Sequence, residues 1–81
     1  MSLIKDRVLK ISLDYINAIV FTLINTERLL NYHVNREEYE KCTELYCILL
    51  KKISDLKKAN YLDYNLTNKE KVTKIIEYYA K

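Results

Sequence analysis

Residues 36–60 read REEYEKCTELYCILLKKISDLKKAN, and this stretch decides the fold. Tyr39, Cys42, Tyr46, Leu49, Ile53 and Leu56 recur in it at alternating steps of three and four, which puts all six on one seam of an α-helix. Glu37, Glu38, Glu40 and Glu44 crowd its beginning, while Lys51, Lys52, Lys57 and Lys58 crowd its end. Those charges complement the helix dipole at both termini. A helix with so long an apolar seam needs another helix of similar length to lie against.

That helix precedes it. From about Ser2 to Tyr32, Leu9, Leu13, Ile16, Val20, Leu23, Ile24 and Leu30 follow the same steps, and Ile4, Val8, Ile11, Tyr15 and Ile19 form a second set. At the helical period the two sets merge into an apolar arc of roughly 220°, about twice what a surface helix buries against one core. The excess predicts cover from two sides: the rest of its own chain on one, and a second copy, through Val8, Ile11, Tyr15 and Ile19, on the other. Asp6, Lys10, Asp14, Asn17 and Arg28 fill the remaining arc and mark the solvent side. Phe21 falls among them, as an exposed residue or as part of a contact with a partner.

The pattern breaks at Asn31 to Asn35, and Asn35 followed by Glu38 has the spacing of a capping box, with Val34 and Tyr39 at its staple positions. The second helix is therefore expected over about 36–60. After a turn over Tyr61 to Asn65, Thr67 and Glu70 repeat the capping pattern and open a short helix over about 68–80, with Val72, Ile75, Ile76 and Tyr79 as its buried stripe. Of the eight tyrosines, Tyr15, Tyr39, Tyr46 and Tyr79 fall on core stripes, which leaves Tyr32, Tyr61, Tyr64 and Tyr78 free to line an interface. The expected fold is all-α, a single domain over 1–81. Two long antiparallel helices form a hairpin, a short C-terminal helix completes a three-helix unit, and two copies assemble into a dimeric helical bundle.

Composition bounds the function. The 81 residues include no Gly and no Pro, which excludes phosphate-cradling loops, dinucleotide fingerprints and nucleophile elbows. A core of this size supplies only a few kcal/mol, which again favours oligomerisation. Fourteen basic residues against 11 acidic ones give a net charge of +3, too little to demand a nucleic-acid partner. The abundance of Ile, Lys, Asn and Tyr is what A- and T-rich codons produce, so a viral or plasmid origin is expected. Cys42 and Cys47 point about 140° apart on one helix and cannot pair with each other, and free thiols suit a reducing, cytoplasmic location. The longest uncharged run, Tyr15 to Thr26, is shorter than the ~20 residues a membrane span needs, and Asp14 and Asn17 interrupt any leader-like pattern. No membrane association is expected.

A single histidine, His33, and no carboxylate pair on apolar surface leave no convergent catalytic group and no metal ligand set. The chain reads as non-enzymatic, with no cofactor. Arg28 and His33 resemble the Arg-x4-His spacing of HEPN-type ribonucleases, all-helical proteins of toxin and defence systems. The resemblance covers six residues and implies ribonuclease chemistry on that pair, although Leu29 stands where the family carries a polar residue. Read by themselves, the two are a helix-end Arg and a loop His. Through the last third of the chain, Lys57, Lys58, Tyr61, Tyr64, Lys71 and Lys74 interleave charge and aromatic rings, the ingredients for contacting nucleic acid without sequence preference. The function expected first is a homodimeric adaptor or regulator that binds another macromolecule, an unidentified protein. The alternative is a nucleic-acid-binding regulator using the C-terminal Lys and Tyr patch.

Overall fold

The computed structural model describes residues 2–80, with side chains over 13–80. Three α-helices form among the described residues: α1 (Ser2–Asn35), α2 (Tyr39–Lys58) and α3 (Lys69–Tyr79), with a 3₁₀ turn at Tyr61–Asp63 between the last two. The connection between α1 and α2 is three residues long, so the two run antiparallel and pack along α2. α3 doubles back along this pair, bringing Tyr79 against Tyr46 near the turn end. The 34 residues of α1 account for about 51 Å at the helical rise, which matches the molecule's 52 Å long axis over a 20 × 19 Å cross-section.

One core joins all the elements. Ile16, Leu23, Leu49, Leu56 and Val72 are fully enclosed, and Ile19, Val20, Leu30, Ile53, Ile75 and Ile76 close around them. Each helix contributes part of the stripe its period predicts. Two further core residues come from the connection: Tyr61 and Leu66 turn inward and fasten the non-helical segment to the bundle. Lys69 Nζ donates to the Leu62 carbonyl at 2.7 Å and ties the start of α3 to the same segment.

The helix boundaries depart from the capping boxes expected of Asn35–Glu38 and Thr67–Glu70. α1 runs through Asn35, and the residue capping α2 is Glu38, which makes no side-chain cap bond. α1 ends instead in a Schellman motif: Glu38 N–H donates to the His33 carbonyl at 3.0 Å and Glu37 N–H to the Val34 carbonyl at 3.0 Å. Glu37 takes the left-handed position at φ 59°, where Gly is usual. Asn60 does the same after α2 at φ 55°, a conformation Asn tolerates. α3 is preceded by Asn68, again without a side-chain cap, and Thr67 lies outside the helix.

Three tyrosines expected in the core are not there. Tyr15, Tyr39 and Tyr46 are all exposed, and only Tyr79 of that set is half-buried. Tyr61, assigned to the free set, is the buried one.

Candidate functional site

The densest polar cluster lies at the turn. Glu38 Oε1 is 3.1 Å from His33 Nδ1 and 2.9 Å from Arg36 Nε, and Oε2 accepts from Lys41 Nζ at 3.3 Å. An ionised carboxylate can only accept, so His33 carries its proton on Nδ1. The His33 bond first, then Lys41 and Arg36, hold the Glu38 carboxyl down from 4.5 to about 2. Tyr32 completes the cluster, edge-on to His33 at 5.1 Å and under the Arg36 guanidinium at 5.4 Å. These contacts all close on Glu38 and Tyr32 within the turn, which makes the cluster a latch between α1 and α2.

His33 therefore belongs to the last turn of α1 and not to a loop, and Arg28 is not its neighbour. Five residues of helix rotate the two side chains about 140° apart. Arg28 is exposed on the α3 side of α1, where it faces Thr67 and Asn68 across a cleft. The ribonuclease-like spacing thus brings no pair of groups together. Among the described residues no three His, Cys, Asp or Glu side chains converge on a metal position. Cys42 is buried, Cys47 is exposed, and both are free thiols.

Above the latch a groove of about 470 Å³ opens between the three helices. Tyr39 and Tyr46 from α2, Tyr78 and Tyr79 from α3, and Val34 from α1 line it, with Cys42 also reaching it. Tyr78 and Tyr79 meet edge to face at 4.9 Å, and Tyr46 is 6.1 Å from Tyr79. Burial raises the Tyr79 hydroxyl above its usual pKa, and the Glu27 carboxylate adds to the rise.

The C-terminal patch keeps its charge and loses part of its stacking surface. Lys57, Lys58, Lys71 and Lys74 are exposed, and Tyr64 is half-buried. Tyr61 is only 7% exposed, so as a nucleic-acid contact it is corrected: its ring is part of the core and has no face to offer a base. Its burial carried no periodic signal, because it lies in a turn.

The expected dimer face divides. Val8 and Ile11 lie outside the residues whose side chains are described. Tyr15 is 60% exposed, whereas Ile19 is 4% exposed and packs in the core of its own chain. Ile19 is corrected on that ground. The sequence reading missed Leu29, which is 49% exposed, and the heptad spacing Tyr15, Thr22, Leu29 is the signal that could have found it. Thr22 and Thr26 donate their hydroxyls to the carbonyls one turn back, at 3.0 and 2.7 Å, so neither threonine offers a free donor there.

Among the described residues no helix is long and apolar enough to cross a membrane. Compared with protein-family models, with curated proteins and with solved structures, the chain matches none.

Proposed function

We propose that this chain is a non-enzymatic helical interaction module, a homodimeric adaptor or regulator that holds its copies together along α1 and binds another macromolecule. The observation that carries the reading is the second face of α1. One face is closed by α2 and α3 through Ile16, Ile19, Leu23 and Leu30, yet Tyr15 and Leu29 stand exposed on another. Between them lie Ala18 and Thr22, small side chains over which a second helix can approach closely. A two-faced helix at the shared centre of a bundle accounts for both faces. The tyrosine-lined groove then remains open for the second partner, of the kind aromatic side chains favour at interfaces.

Sedimentation at micromolar concentration tests this. A dimer is expected for the native chain, and a Tyr15→Glu, Leu29→Glu variant is expected to sediment as a monomer with unchanged helicity. A native chain that sediments as a monomer sinks the homodimer.

A further inference from the structure

We propose that the cleft between α1 and the start of α3 binds a nucleotide unit, with the base against Phe21 and the phosphate at Arg28. The cleft holds about 470 Å³, within the range of small-ligand pockets. Its α1 wall is a single face read at turn spacing: Asn17, Phe21, Asn25 and Arg28. Thr67 and Asn68 form the opposite wall, and Val20 and Ile24 contribute apolar lining.

Three features of this cleft point to a ligand. The first is the convergence of polar side chains that the fold leaves unused, unlike Thr22, Thr26, Thr43 and Thr73, which bond back to their own helices, and His33, Arg36, Glu38 and Lys41, which form the latch. Asn17, Asn25, Arg28, Thr67 and Asn68 take part in none of the side-chain hydrogen bonds among the described residues, and all five meet at this one place. The second feature is Phe21, the chain's only phenylalanine, which is 70% exposed in the middle of the polar wall. A planar ligand laid on that ring removes apolar surface from water and stacks, and such a stack contributes about 1–3 kcal/mol per base. The third is chemical variety. Asn side chains offer a donor and an acceptor together, which suits the edge of a base, and a guanidinium suits a phosphate bidentately.

The spacing fits the ligand. Phe21 and Arg28 are seven residues apart, about 10.5 Å along the helix, and the Arg side chain can reach back toward the base. Asn68 makes no side-chain cap, so the first amides of α3 add positive potential on the phosphate side. This face lies about a third of the way round α1 from Tyr15 and Leu29, so the inference does not depend on self-association.

The same chemistry is offered by a free mononucleotide and by one unit of a single strand, and the experiment separates them. The full chain, isotope-labelled, is titrated with AMP, GMP, CMP and UMP, with adenosine, with inorganic phosphate, and with short oligoadenylate and oligouridylate. Saturable shifts in the Phe21 ring and Arg28 side chain are expected with at least one mononucleotide. Adenosine should bind about tenfold or more weaker than AMP. Arg28→Gln should abolish that difference, and Phe21→Ala should weaken both ligands, with helicity unchanged in each variant. An oligonucleotide about tenfold or more tighter than its mononucleotide assigns the site to a strand, and equal affinity assigns it to a free nucleotide. Absence of saturable shifts with all four mononucleotides and both oligonucleotides overturns the proposal. So do shifts that inorganic phosphate alone reproduces, or AMP binding that Arg28→Gln leaves intact.

Discussion

Glu38 reaches backward to His33, placing Oε1 3.1 Å from Nδ1 across the turn, although Glu38 is the residue that caps α2. Its side chain is thus used to fasten α2 to the last turn of α1, and the first amides of α2 go without a side-chain cap. The chain's sharpest reversal is held by one carboxylate among three cationic or ionisable donors. Backbone bonds of the Schellman motif set the path, and Glu38 locks it.

The latch should show in acid. A carboxyl held at about 2 in the fold and near 4.5 when unfolded stabilises the fold fully above pH 4.5, and the contribution disappears as pH falls through 4.5 toward 2. Thermal melts of the native chain and Glu38→Gln across this range are the measurement. The native chain should melt higher above pH 5, with the gap closing toward pH 2. A gap that stays constant with pH would mean that the ionised carboxylate contributes nothing.

Glu37 occupies the left-handed corner of the same turn at φ 59°, with an exposed side chain. A Cβ there costs about 1–2 kcal/mol, and Gly returns part of that through its freer unfolded chain. Glu37→Gly should therefore raise unfolding stability by about 0.5–1 kcal/mol. Asn60→Gly, at φ 55°, should change it much less, because Asn already tolerates that region. Urea midpoints of the two variants decide the matter.

These corners also mark where sequence reading stopped. The helices were legible because Ile16, Leu23, Leu49, Leu56 and Val72 recur at the helical period and all five are enclosed. The turn was not, because Asn35-x-x-Glu38 has the spacing of a capping box, and the same letters serve a helix that continues through Asn35. Period gives a residue's direction around its helix but not how far the neighbouring helices extend over it, so Tyr39 and Tyr46 followed the seam and still face a groove. Tyr61 and Leu66 are buried from a connection with no period to read. For the candidate cleft, Phe21 and Arg28 were visible as members of the polar strip of α1. Only the fold brings Thr67 and Asn68 opposite them.

Leu49 and Leu50 are adjacent in sequence and opposite in role. Leu49 is fully enclosed, while Leu50 is 38% exposed. Leu49→Ala should cost about 2–5 kcal/mol, a large share of what so small a domain holds. Leu50→Ala should stay within about 0.5–1 kcal/mol. Comparable losses at both positions in chemical denaturation would contradict the placement of α2 against α1 and α3.

The two readings of the C-terminal patch separate at Tyr61. If its ring stacked on bases, Tyr61→Ala would weaken oligonucleotide binding and leave the fold intact. Because the ring is buried beside the turn, the substitution should instead cost about 3–5 kcal/mol, as removal of a core aromatic does. Tyr61→Phe should be nearly neutral, since the described residues give its hydroxyl no hydrogen-bond partner and leave no buried polar atom unpaired. Tyr78→Ala, at a ring 70% exposed, should leave stability within about 0.5 kcal/mol. Charge is then what the patch has left to offer. Lys71→Ala with Lys74→Ala should lower both the affinity and the salt dependence of any oligonucleotide binding there, equally for all sequences, at an unchanged melting temperature. Binding that survives this pair undiminished would move the nucleic-acid surface away from the patch, and loss of that binding in Phe21→Ala would then locate it in the cleft between α1 and the start of α3.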